Sequence, residues 1–159
     1  MPISGPCTLK WSDDDPSNAI ILTFASRWCE PMVKGKIKVV FRKAGPTRVT
    51  PELMYVYFSA PISAIVARLP IVCYEILPLA KAIMLTEDGQ ISREELVSYA
   101  RDRQELVVMH VGQVAVASNP ITRIHMSSAY NFWPSSTFIP LSGAGKRTLD
   151  AYGRFAVKK

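Results

Sequence analysis

Metal-binding spacing is missing from this chain. Its three cysteines, Cys7, Cys29 and Cys73, form no Cys-x-x-Cys pair, and its two histidines, His110 and His125, stand far apart. That pattern excludes zinc-finger spacings and disulfide frameworks, and it predicts a reduced, cytoplasmic protein with no metal and no other cofactor. Also absent is a basic segment followed by an apolar run at the N-terminus, so no secretory signal is expected. The apolar stretch 61–85 is interrupted by Arg68, Glu75 and Lys81 and by Pro70 and Pro78, which argues against a membrane-spanning helix and against a membrane partner. Acid is missing where base is dense: residues 34–48 carry six Lys and Arg and no Asp or Glu. No internal repeat or low-complexity tract is visible.

What is present describes one domain. At 159 residues and 48% hydrophobic content the chain can bury a real core. Twelve prolines against eight glycines favour short strands and stiff turns over long helices, so an α+β fold is expected. Residues 1–18, with Pro2, Gly5, Pro6 and SDDDPSN, supply turns and charge rather than core and predict a loose or wrapping arm; the domain proper is expected over 19–157. AIILTF (19–24) reads as a buried strand and SRWCEPMVKG (26–35) as a short helix with Ser26 at its N-cap and Gly35 at its stop. KGKIKVVFRK (34–43) and LMYVYFS (53–59) read as strands, and ISAIVARLPIVCYEIL as one extended segment with a bulge or an edge at Pro70. Ser92, with Glu95 three residues on, forms a capping box at the start of the clearest helix, SREELVSYARD. ELVVMHVGQVAVAS (105–118) is apolar on both alternations and reads as a strand covered on both sides and broken by Asn119-Pro120-Ile121. FWPSSTFIPL reads as an aromatic extended loop and GKRTLDAYGRF (145–155) as a terminal helix. This order fits a small twisted β-barrel with short helices at its rim.

The excess of 19 Lys and Arg over 13 Asp and Glu gives a net charge of +6, which favours polyanionic partners without naming one. In a strand over 34–43, alternation places Lys36, Lys38, Val40 and Arg42 on one face and Ile37, Val39 and Phe41 on the other, predicting a basic outer face. Such a face is either an edge strand guarded by lysines or a track for phosphates. Ser26, Arg27 and Trp28 open the first helix, where free N–H groups suit an anion and an indole can stack on a base; cap and core packing is the alternative. Cys29 has no general base near it in sequence and reads as an inert thiol. His110 and His125 show no Cys, Asp or Ser arrangement and read as residues without a chemical role. GAGKRT (143–148) has Arg147 after its lysine and Pro140 where a phosphate-loop glycine would stand, which excludes an NTPase loop.

ILTFASRWCEPMVKGKIKVVFRK, followed by YVYFSAPISAIVA and later by VASNPITRIHM and FWPSSTFIPL, resembles the ASCH domain of the PUA-like superfamily over roughly residues 20–141. The resemblance implies a β-barrel with a cleft beside the first helix, and RNA or a modified nucleobase as ligand. Some relatives hydrolyse an acylated cytidine and some are described as nucleases. It also places Tyr55, Tyr57 and Ser59 at the cleft, where base stacking competes with plain barrel packing as their role. Of the family's Gly-x-Lys-x-x-Glu-x-Arg pattern, Gly35 and Arg42 match. Ile37 and Val40 stand at the lysine and acidic positions, and Lys38 is one residue out of register. Neither Ile37 nor Val40 handles protons, so the hydrolase mechanism is not implied; Glu30, Cys29 and Glu75 remain as proton-handling candidates. The expected function is binding of RNA or a nucleotide, with DNA as a further partner class. Lys36, Lys38, Arg42 and Lys43 would track phosphates, Arg27 and Trp28 would meet a base, and Ser26, Tyr57 and Ser59 would line the cleft. A hydrolase acting on a modified nucleoside or RNA, and a protein-interaction module, are the alternatives.

Overall fold

Strands β1 (Ala19–Phe24) and β3 (Leu53–Phe58) are apolar on both alternations, and in the computed structural model, which describes residues 9–46, 50–134 and 138–157, both of their faces are covered. Ile20, Leu22, Met54, Val56 and Phe58 enter one core cluster, while Ala19, Ile21, Tyr55 and Tyr57 enter a second on the opposite face. The two strands run parallel, with Ile20 opposite Met54. A parallel pair needs a crossover. Here it contains α1 (Cys29–Val33) and β2 (Val39–Arg42).

Strand β4 (Ala64–Pro78) pairs with β3 over Ala64–Pro70. Strands β5 (Glu105–Val111) and β6 (Ala115–Thr122) pair with β4 in turn, from Pro78 opposite Glu105 to Ala64 opposite Thr122, with register shifts between Ile71 and Cys73 and between Ile65 and Ala67. The irregularity expected at Pro70 falls just beyond it, between Ile71 and Cys73, where β4 has left β3. The single strand read over 105–118 is interrupted at 112–114, where the Gly112 N–H donates to the Pro70 carbonyl at 2.9 Å. Pro120 does not end β6, because it has no register partner in either ladder and its missing N–H therefore removes no bond.

Strand β7 (Phe138–Pro140) flanks β1, and β8 (Phe155–Val157) lies on β6. The pairing order is β2-β5-β4-β3-β1-β7, with β6 on β4 and β8 on β6. Among the described residues no pair joins β2 to β7. The class is mixed α+β on one eight-stranded sheet, and the pairings leave that sheet open rather than closed as a barrel. No helix of the described residues is long and apolar enough to cross a membrane.

Short helices cover the sheet. Val39, Leu106 and Val108 pack with Ala82, Leu96 and Ala100, which seats α2 (Leu79–Ala82) and α3 (Arg93–Ala100) on β2 and β5. The Ser92 hydroxyl accepts from the Glu95 N–H at 3.0 Å and caps α3, as its sequence predicts. Helix α4 (Arg123–Tyr130) occupies a stretch the sequence pattern leaves unassigned; Thr122 caps it by accepting from the His125 N–H. The terminal helix, α5 (Gly143–Gly153), starts and stops two residues earlier than the predicted span. Of the N-terminal arm, residues 1–8 lie outside the described residues. Leu9 is fully buried, and its carbonyl accepts from Ser142 N at 2.8 Å. Gly145 permits this approach, since a Cβ there would stand 2.6 Å from that carbonyl oxygen.

Asp150 ties α5 to the sheet. Its carboxylate accepts from the Tyr55 hydroxyl at 2.5 Å, from Arg68 Nη1 at 2.8 Å and from Lys146 Nζ at 3.1 Å. Burial acts to raise the Asp150 pKa, but the hydrogen bonds from Tyr55, Arg68 and Lys146 outweigh it and hold the group below its ordinary value. Tyr55 is pushed well up, by burial first and by its bond to Asp150 second. A carboxyl depressed on folding contributes stability above its unfolded pKa of about 3.9, and that contribution is lost as pH falls through the lower folded value. Asp150→Asn should therefore cost about 1–3 kcal/mol at neutral pH and flatten the acid limb of the stability profile below about pH 4. Urea titrations of both proteins at a series of pH values test this; parallel acid limbs would show that Asp150 does not carry the linkage.

Candidate functional site

Only Val39–Arg42 of the basic run forms a strand, and its charges do not line an outer face. Lys34, Lys36 and Lys38 precede the strand and are exposed, whereas Val39 and Val40 are both buried. Val39 joins the cluster under α3 and Val40 joins the inner core, so β2 is covered on both faces. The face expected to meet solvent, that of Val40 and Arg42, is turned to the inner core, while α2 and α3 cover the Val39 and Phe41 face that alternation had assigned to the interior. Arg42, on the Val40 side, consequently points into the protein.

It points into a cleft of about 250 Å³ between a 3-10 turn (Ser26–Trp28), β2 and α3. The Arg42 Nη2 donates to the Thr23 carbonyl at 2.6 Å, and the guanidinium lies 4.5 Å from the Phe24 ring centroid. Its Nε is buried without a hydrogen-bond partner. Burial lowers the Arg42 pKa, an effect opposed by the contact with Tyr99. An arginine remains charged under such a shift, so the cleft holds a largely desolvated cation whose Nε–H is unspent.

Arg27 and Trp28 form the opposite lip, with the Arg27 guanidinium 4.3 Å from the indole centroid. The Arg27 side chain also pairs with Glu95 of α3 across the cleft. Both partners of that pair are substantially exposed, which limits its worth to about 0–1 kcal/mol and leaves it open to competition by a ligand. Lys43, outside the cleft lining, holds its Nζ 5.1 Å from the centroid of the cleft residue Tyr99. Ile37 and Val40, the apolar substitutes in the family pattern, line this same cleft.

The fold thus brings Arg27, Trp28 and Arg42 to one cavity with Lys43 beside it. Lys36 and Lys38 stand exposed, and Lys38 borders a second, open depression with Lys34, Gly35 and Gln113. Ser26 is not an N-cap: Ala25 holds that position, with no side-chain cap bond. Tyr57 packs in the core cluster with Tyr55 and Met126, away from the cleft walls. Ser59 sits in the turn after β3, donating its N–H to the Phe24 carbonyl at 3.0 Å. Burial pushes the Cys29 thiol up, away from nucleophilic thiolate. Glu30 pairs on the surface with Lys34. His125 stacks on Tyr152 at 4.1 Å, while His110 meets Glu75 on the sheet. Phe24, Gly89 and Ile91 line the cleft without any sign of it in the sequence, and so do Glu95 and Tyr99 of α3. Their i, i+4 spacing on α3 signals a shared helix face but not what that face covers.

Comparison with known proteins supports the fold. A scan against protein-family models gives no match, and a sequence search of curated proteins gives none. Among solved structures, the ASCH protein of Zymomonas mobilis superposes with a TM-score of 0.75 at 14% identity, covering 84% of this chain and 94% of that one. A mutant form of the same protein gives 0.77 at 13%, covering 86% and 97%. The N-terminal domain of Staphylothermus marinus McrB gives 0.58 at 10%, covering 94% and 100%. The chain therefore has the ASCH-domain fold that its sequence resembles.

An arginine kept for ligand binding differs in stability from one kept for packing. Arg42→Met retains an unbranched side chain of similar reach on Phe24 and removes a desolvated charge. Its expected effect on unfolding free energy is within about 1 kcal/mol, because the lost bond to Thr23 is offset by the relieved burial of charge. A loss several times larger, measured by denaturant titration, would make Arg42 a structural pillar instead.

Proposed function

We propose that this cleft binds RNA or a nucleotide through one splayed base, with the neighbouring lysines meeting phosphates. The observation that carries this reading is Arg42, desolvated against Phe24 with its Nε–H unspent inside an aromatic cleft. A buried donor of that kind calls for an acceptor such as a base carbonyl or ring nitrogen, and Trp28 and Tyr99 offer stacking surfaces. The cavity is below the about 300 Å³ at which drug-sized pockets begin, a scale that suits one flat ring rather than a duplex groove. Exposed Lys36 and Lys38, with Lys43 next to Tyr99, supply phosphate contacts beside it.

Short single-stranded RNA is the direct probe. Arg42→Met should weaken its binding by about 1.5–3 kcal/mol, the worth of a hydrogen bond to a charged group, and Trp28→Ala by about 1–3 kcal/mol. Replacing Lys36 and Lys38 together should lower the slope of log affinity against log salt by about 1.4, at about 0.7 per single-strand phosphate contact. Unchanged affinity in Arg42→Met would sink the cleft assignment, and an unchanged slope would remove the lysines from the interface.

A hydrolase acting on a modified nucleoside is the second reading, favoured by the Glu95 carboxylate at the cleft wall. It requires turnover of acylated nucleosides that Glu95→Gln abolishes. Binding without turnover across a broad panel would leave the first reading alone.

A further inference from the structure

Strand pairing assembles what sequence spacing does not. Ile71 and Tyr74 both pack toward the inner core although they are three apart, because the bulge between Ile71 and Cys73 resets the alternation of β4. Without that bulge Cys73 would share the inner face with Ile71. With it, Cys73 and Glu75 turn outward together, and His110 of β5 is the register partner of Cys73. His110 Nε2 lies 2.7 Å from Glu75 Oε2. One ligand atom from each of the three side chains lies within 4.8 Å of the other two.

We propose that Cys73, Glu75 and His110 form a binding site for a zinc-class divalent cation. A thiolate, an imidazole and a carboxylate are the ligand types Zn²⁺ takes, whereas Mg²⁺ and Ca²⁺ require oxygen. Tetrahedral zinc with bonds of about 2.0–2.3 Å places its ligand atoms about 3.3–3.6 Å apart. The backbone meets that demand through two adjacent paired strands. Rotation of the exposed Cys73 and the half-buried Glu75 and His110 closes the remaining distance and opens the Glu75–His110 contact. Three protein ligands leave the fourth position to water or an outside ligand. The site lies one strand away from the cleft, since His110 also pairs with Val39, a cleft-lining residue of β2. It does not depend on the cleft's binding RNA.

Cobalt(II) titration of the full chain tests the assignment, because a cobalt–thiolate bond gives a charge-transfer absorption band. The expected result is saturable binding of one Co²⁺ per chain with that band present, and displacement of the cobalt by Zn²⁺. Cys73→Ser, at an exposed position, should abolish the band with the circular dichroism spectrum unchanged. His110→Gln should weaken binding by more than the roughly 10–100-fold that follows loss of an outer-shell partner in metal sites. Absence of saturable binding in the unaltered chain would overturn the proposal. So would a band that survives Cys73→Ser, since the thiolate would then be Cys7 or Cys29.

Discussion

Strand β4 has to serve three neighbours with one continuous backbone, and the rest of the architecture follows from where it changes partner. Over Ala64–Pro70 it lies against β3, which carries β1; over Ile71–Pro78 it carries β5, which in turn holds β2. The change falls at Pro70, a residue unable to donate to a ladder, and the bulge that follows turns the next side chains over. One wall of the cleft is β2, and β2 reaches its place only through this relay. The Cys73, Glu75 and His110 cluster depends on the same bulge directly.

Within that frame the cleft is a region where the protein tolerates poor solvation of a charge. Arg42 is covered by Phe24 and held by the Thr23 carbonyl and by its contact with Tyr99, and its Nε–H has no protein partner. The Asp150 cluster on the other side of the sheet makes a useful contrast. There a partly buried carboxylate receives three donors from Tyr55, Arg68 and Lys146, so the charge serves to lock α5 in place. A network satisfied on every side is structural in character, whereas an unsatisfied buried donor beside open space is suited to a ligand. The Arg27–Glu95 pair at the mouth is exposed and weak enough to rearrange when something enters.

Local patterns were legible where one neighbour decides the structure. The two-faced apolar strands β1 and β3, the Ser92 cap of α3 and the Gly35 stop, at φ 74°, all follow from residues close in sequence. The ASCH resemblance likewise rested on short runs and agrees with the fold. The basic run was misread because alternation states which side chains share a face but not which way that face turns: Val40 and Arg42 face the inner core, and α2 and α3 cover the other side. Arg42 and Trp28 line one cleft, although alternation had put Arg42 on an outer phosphate-tracking face, and Glu95 looked like a capping residue until α3 was docked. His110 showed no company in sequence because its partners lie 35 and more residues away and meet it only across a strand pair. Tyr57 illustrates the reverse error: an aromatic at a strand end suggested stacking, and α4 packs over it instead.

The Arg42 Nε–H resonance reports on ligand entry into the cleft, because that proton is a buried donor with no protein partner. In a ¹H–¹⁵N spectrum followed through a titration with single-stranded RNA, the account predicts a saturable shift of the Arg42 Nε–H signal together with the Trp28 indole N–H. Movement of backbone signals confined to residues 34–38, with both side-chain signals stationary, would contradict it and place the nucleic acid on the exposed lysines alone.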